Sequence, residues 1–422
     1  MKEDLLHFAW RTRRFDHTEL CTTDGQPLYI IHPGQHNTTH QGPDFFNARI
    51  RIDRTLWAGN VEIHVRASDW LKHNHQNDPR YQNVILHVVH TADAPIYDPH
   101  GQPIPTLELQ RRLHHSLVDK YYQLMHHKGW IPCAAQLPQV SSLIRTAWIE
   151  RMAVARLETR ATHIESLLVY THSDWEEAFY QWLLRAWGTK HNAAAFEWLG
   201  RVAPLRLLAH YRHAPLQVEA LLFGQAGLLT RRFDEDYPLH LQREYRFLQK
   251  KHQLEPMPPG MWQFMRMRPL NFPTLRIAQL AALVVNVYPL FRHFAEAKSI
   301  ADLAQLLQVE VSEWWQTHYT FDTTAPKQIG KPGKAMLHLL IINGLAPFLF
   351  VYGKYKDDTR LQKRALQWLM ELPAERNRLI RQWHQIGMHA QSAFDSQALI
   401  ELHNKYCQNF RCLECAIGAN LL

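Results

Sequence analysis

Asp44, Glu62 and His64 lie in the stretch GPDFFNARIRIDRTLWAGNVEIHV, residues 42–65, in a pattern that suits metal-assisted hydrolysis. If FFNARIRI and WAGNVEIHV pair as an antiparallel hairpin turning near Arg54, opposed residue numbers sum to about 108, so Asp44 faces His64 and Phe46 faces Glu62. Asp44 and Glu62 are then diagonal neighbours with Cα atoms ~7–8 Å apart. Residues two apart on a strand share a face, so Glu62 and His64 point the same way. Two such carboxylates repel each other unless a cation sits between them, and the natural occupant is a hard divalent ion such as Mg²⁺. Such an ion activates a bound water and stabilises charge on a transferring phosphoryl group. His64 is placed to hold or deprotonate that water. The apolar parity is Ala48, Ile50 and Ile52 on the Asp44 face of the first segment, but Val61, Ile63 and Val65 on the opposite face of the second. Either a bulge shifts the register or both faces are covered.

A group of histidines follows in SDWLKHNHQNDPRYQNVILHVVH. His73, His75 and Asp78 fall on or after a helix, and His87 lies on the next strand. On a helix His73 and His75 diverge by about 200°, and no HExxH-type run is present, so a zinc site is not expected there. These side chains are instead auxiliary candidates to assist His64, contact phosphate or act as a base. Near the C-terminus, Cys407, Cys412 and Cys415 form C-x4-C-x2-C, three of only five cysteines in the chain. Soft thiolates at this spacing suit Zn²⁺ or an iron–sulfur cluster, and Cys133 is the expected fourth ligand. Arg268 and Arg276, around a helix entered through Pro273, are candidate phosphate contacts.

The chain of 422 residues divides by its patterning into regions of different secondary structure. Residues 1–115 alternate β-rich runs (PLYIIHPG, FFNARIRI, WAGNVEIHV, NVILHVVH and TLELQ) with turn clusters. Helical patterns fit Asp4–Arg14 and Ser68–Tyr81, giving a compact α/β domain in the order helix, three strands, helix, strand. Residues 116–400 keep a helical period, and 401–422 form a cysteine-bearing segment that packs back on the fold. Hydrophobic residues make up 46% and charged residues 20%, which excludes a mostly disordered chain. The few cysteines and the absence of an apolar leader point to a reducing, cytoplasmic location. The uncharged stretch Ala335–Gly353 carries His338, Asn343 and Pro347 and reads as a buried core helix, so no membrane partner is expected. Lys and Arg outnumber Asp and Glu by 47 to 39, a net charge of +8 that permits a polyanionic partner. Protein partners are not indicated.

The arrangement of Pro43-Asp44 and Glu62-Ile63-His64, within that order of elements, resembles the PD-(D/E)xK nuclease superfamily. The resemblance implies a restriction-endonuclease-like mixed sheet flanked by helices, with Glu3 on the first helix as a further acidic metal ligand. The departure is His64, where the superfamily usually has Lys; a neutral imidazole lacks the fixed charge. The lone cysteine with a close triplet is similar to the iron–sulfur staple of some nucleases in that superfamily, although the spacing differs. Over nearly its whole length, through GPDFFNARIRI, WAGNVEIHV, SDWLKHNH, YQNVILHVV, RPLNFPTLRIAQLA and the terminal cysteines, the chain looks like an uncharacterised bacterial family of unknown function.

The expected activity is therefore that of a metal-dependent endonuclease or exonuclease acting on DNA or RNA. One alternative is a non-catalytic nucleic-acid-binding or assembly protein on a degenerate nuclease fold. Another is a small-substrate hydrolase, which requires His73, His75 or His87 beside Glu62.

Overall fold

The computed structural model describes residues 1–422 except 39, 40 and 99. They form two units, Met1–Trp148 with Leu402–Leu422, and Ile149–Glu401.

In the first unit, helix α1 (Glu3–Thr12) opens with Glu3 and Asp4, acids that complement the positive end of the helix dipole. It buries Leu5, Leu6, Phe8, Ala9 and Trp10 and ends at Arg13 in the left-handed conformation. The strands β1 (Leu28–His32), β2 (Gln35–His36), β3 (Phe45–Ile52), β4 (Thr55–Arg66), β5 (Val84–Thr91) and β6 (Thr106–Glu108) follow. They form one mixed sheet in the order β1-β3-β4-β5-β6, with β2 paired to the start of β3. β3 is antiparallel to β1 and β4, whereas β5 and β6 continue parallel to β4 and β5 respectively. A parallel neighbour requires a crossover, and residues 67–83 supply it. Val84–Val89 are buried without a break, as expected for a strand covered on both faces.

That crossover differs from the single helix expected over Ser68–Tyr81. Helix α2 is only Asp69–Lys72, and two 3₁₀ turns, His75–Asn77 and Pro79–Tyr81, follow. Asn74 takes a positive φ of 60°, which Asn tolerates better than most residues, and this breaks the helical path. The hairpin register also differs. Ile52 pairs with Thr55 and Ala48 with Gly59, but beyond an irregularity between Phe45 and Ala48 the pairing becomes Phe45 with Val61. Asn47, at φ 57°, sits in this bulge. The bulge reconciles the conflicting parities, because Phe45 and Ala48, three residues apart, are both buried.

Helix α3 (His115–Met125) follows the sheet. The stretch 126–148 and the terminal segment 402–422 also belong to this unit. Arg11 Nη2 donates to the Leu413 carbonyl at 3.0 Å, tying the terminal segment to α1.

The second unit is largely helical, with one small antiparallel pair, His318–Thr320 and Thr323–Thr324. Lys334–Tyr355 is long and apolar enough to cross a membrane, but 72% of its apolar window is buried inside the fold. It is a core helix, with a π turn at Ile341–Leu345 ahead of Pro347. Arg160 is matched here: its Nη1 donates to the Ile342 carbonyl at 2.6 Å, and its Nη2 donates to Gln397 Oε1 at 2.9 Å.

Candidate metal-binding and catalytic site

Asp44 and Glu62 come together where β3 begins beside the middle of β4. Continuing the Phe45–Val61 register sets Asp44 level with Glu62 rather than with His64. Each carboxylate accepts a backbone N–H from the other segment: Asp44 N donates to Glu62 Oε2 at 3.0 Å, and Ile63 N donates to Asp44 Oδ2 at 2.9 Å. Extended without the bulge at Asn47, the Ala48–Gly59 register would instead oppose Asp44 to Ile63, turning Asp44 away from Glu62.

Glu62 is buried and Asp44 partly exposed. Burial, reinforced by the Asp44 charge, pushes the Glu62 carboxyl up to about 9. Glu3 on α1 is also raised, first by burial and then by Asp44, which puts its carboxyl within electrostatic range of the same site. His7, one turn along α1 from Glu3, has Nε2 3.2 Å from Asp44 Oδ2. Burial opposes a charge on His7, but the Asp44 hydrogen bond and the neighbouring carboxylates outweigh it and raise its pKa. The sequence reading missed His7. Its i,i+4 spacing from Glu3, which puts both on one helix face, is the signal that would have found it.

On the other side of Glu62 lie imidazoles. Glu62 Oε1 is 3.3 Å from His75 Nε2 and 3.7 Å from His64 Nε2. The distance required by the small-substrate alternative is thus met at His75. His64 Nε2 is 3.1 Å from His73 Nδ1, and its Nδ1 is 2.9 Å from His87 Nε2. His87 arrives on β5 directly beside Glu62 in the parallel register. Trp70 packs its ring 5.4 Å from both His75 and His87, and Tyr81 stacks on His75 at 3.9 Å. Burial, with the neighbouring histidines adding to it, lowers His64 to about 2 and His87 to about 3. Burial also lowers His75. These rings are neutral at pH 7, so their contacts with Glu62 are polar contacts rather than ion pairs.

The two histidines expected to diverge therefore meet. His73 caps the end of α2 and the left-handed Asn74 swings His75 back, leaving the rings 5.4 Å apart. Asp78 takes no part in this group: its carboxylate accepts from the Arg80 guanidinium and from Arg80 N.

The four cysteines lie in the same unit, all buried and none in a disulfide. Cys407 closes a π turn, while Cys412 and Cys415 flank a turn in which Cys415 N donates to the Cys412 carbonyl at 3.3 Å. Burial raises Cys133 and Cys412 to about 12, with Cys415 adding to the effect on both, so the Cys133 loop and the terminal segment are close neighbours. Cys21 is apart from them, with Arg112 Nη2 3.9 Å from its sulfur.

Arg268 and Arg276 belong to the second unit. Arg276 is buried and donates to Gln279 Oε1 at 2.8 Å and Asn271 Oδ1 at 2.7 Å. Arg268 is exposed, ahead of the short turn Pro269–Asn271.

The chain matches no curated protein and no solved structure. Residues 3–378 match the family described as "Protein of unknown function (DUF2851)", a span that contains the whole carboxylate and imidazole site. The chain belongs to this family.

Proposed function

We propose that the α/β unit hydrolyses phosphodiester bonds in DNA or RNA, using a divalent cation such as Mg²⁺ held by Asp44 and Glu62. The observation that carries this reading is the reciprocal clasp of the two carboxylates on adjoining strands. The donor set fits a cation: burial and the Asp44 carboxylate force Glu62 towards neutrality even with His7 nearby, and two carboxylates leave room for waters or phosphate oxygens. When bound, the cation supplies Lewis acidity and a water of lowered pKa. Asp44 and Glu62 position the ion, Glu3 adds negative charge from α1, and His7 fixes the Asp44 carboxylate. His64 is held at both ring nitrogens, by His87 and by the exposed His73. The order α1, strands, α2, β5, with Asp44 ahead of β3 and Glu62-Ile63-His64 on β4, supports the PD-(D/E)xK reading. The net charge of +8 favours a polyanionic substrate.

The test is cleavage of duplex DNA, single-stranded DNA and RNA with Mg²⁺, Mn²⁺ or Zn²⁺ added after chelation. Asp44→Asn and Glu62→Gln should abolish cleavage while keeping the far-UV spectrum. Equal cleavage by wild type and both variants, or none by the wild type with any ion, overturns the reading. A second reading, nucleic-acid binding without catalysis, is favoured by the burial of His64 in the position of the usual Lys. It predicts salt-sensitive binding that no divalent ion or Glu62→Gln alters.

We propose also that Cys133, Cys407, Cys412 and Cys415 hold a structural metal centre that fastens the terminal segment within the first unit. Among the described residues, no three of these sulfurs lie within 4.8 Å of one another. The likeness of a lone cysteine and a close triplet to an iron–sulfur staple favours a [4Fe–4S] cluster over Zn²⁺.

A further inference from the structure

We propose that His64, His73 and His75 bind a second divalent ion, of the borderline class represented by Zn²⁺ and Co²⁺, on the Oε1 side of Glu62. One ring nitrogen from each of the three lies within 4.8 Å of the others, and among the described residues this is the one such group of three or more possible ligands. Ligands of a tetrahedral ion at ~2.0–2.1 Å stand ~3.3 Å apart. Within the group, His64 Nε2 and His73 Nδ1 stand 3.1 Å apart, and Glu62 Oε1 lies beside them, 3.3 Å from His75 Nε2 and 3.7 Å from His64 Nε2.

Three imidazoles select against Mg²⁺, which demands oxygen ligands, and in favour of a transition metal. The group is also supported from behind. His87 Nε2 fixes the His64 ring, Tyr81 stacks on His75 and Trp70 packs against both. Such outer contacts orient ligands before an ion arrives. His73 is exposed and opens the group to solvent, while His64 at 1% exposure closes it on the inner side. Three protein ligands leave a coordination position for water, beside the Glu62 carboxylate that shares its other oxygen with the Asp44 side. The inference rests on the proposed function only in placing this ion next to the hydrolytic position. A plain hydrogen-bonded chain of imidazoles is the competing account of the 3.1 Å contact.

The experiment is a Co²⁺ titration of the full chain after chelation, followed by visible d–d absorption. Thiolate-bound cobalt is separated by its intense near-ultraviolet charge-transfer bands. The wild type should bind one cobalt without those bands, displaced by Zn²⁺ and not by Mg²⁺. His73→Ala and His75→Ala should each weaken this binding at least 10-fold, with melting curves confirming that both fold. Equal cobalt affinity in the wild type and both variants, or no thiolate-free absorption in the wild type, overturns the proposal and leaves the hydrogen-bonded chain. Cleavage measured in Mg²⁺ on the same samples reports separately on the nuclease reading, which falls if cobalt binds as expected and nothing is cut.

Discussion

Replacing Glu62 by Gln should stabilise the ion-free protein while removing the proposed phosphodiester cleavage. In the folded chain, burial and the Asp44 carboxylate keep a proton on Glu62 up to about pH 9. The unfolded chain releases that proton near the ordinary value of 4.5. At pH 7 this mismatch costs the folded state about 3 kcal/mol. Gln removes it, because its amide is neutral in both states. The Gln carbonyl still accepts from Asp44 N, and its NH₂ group faces the imidazole nitrogens of His64 and His75. For a unit of this size, such a gain corresponds to roughly 6–12 °C in melting temperature. The sign follows from a folded pKa raised above the unfolded one: the stabilising protonation is complete below about 4.5 and is lost as pH rises towards about 9. Wild type and variant should therefore melt together near pH 4, with the variant increasingly ahead from pH 6 to 9. Adding Mg²⁺, which the histidine group selects against, should raise the wild-type melting temperature and leave the variant unmoved. Differential scanning calorimetry across pH, with and without metal, makes the measurement. A Gln variant that melts below the wild type at pH 8 without metal would show that charged Glu62 is a supporting partner in the fold, which would refute the reasoning.

Other expectations follow from the same geometry. Gly59→Ala should destabilise the sheet by about 3 kcal/mol or more, since the added Cβ would stand 2.4 Å from Ile85 Cγ2 and 2.7 Å from the Asn83 carbonyl across the β4–β5 pairing; urea unfolding would show it. Arg49 and Arg51 are exposed between the buried Ala48, Ile50 and Ile52, with Arg51 5.2 Å over the exposed Tyr29 ring. Arg49→Ala with Arg51→Ala should weaken nucleic-acid binding and reduce the slope of log K against log salt by about 2, and an unchanged slope would clear this face of contact. Protein purified without oxygen should be brown, absorb near 400 nm and carry iron, and Cys412→Ser should lose the colour; stoichiometric zinc, or thiols that titrate freely in metal-free protein, would remove the cluster.

The alternation of apolar and polar residues in FFNARIRI and the apolar run in NVILHVV, interrupted only by His87, were enough to set β3 and β5, because strand faces repeat every two residues whatever lies around them. The core identity of Lys334–Tyr355 was likewise legible, from the polar residues that interrupt its apolar run. Asp44 and Glu62 are visible in the sequence only as residue types flanking a hairpin. The sequence by itself did not decide how those carboxylates meet. A single left-handed residue, Asn47, shifts the register, and local propensity does not announce a bulge whose stability comes from pairing on both sides. Asn74 did the same for the histidines: helical periodicity sent His73 and His75 apart, whereas the broken crossover brings them together over β4. The contributions of His7 from α1 and His87 from β5 depend on contacts between elements distant in sequence. Burial depends on them too, and with it the neutral state of His64 and the raised pKa of Glu62. Tertiary packing alone sets the exclusion of water on which those shifts rest.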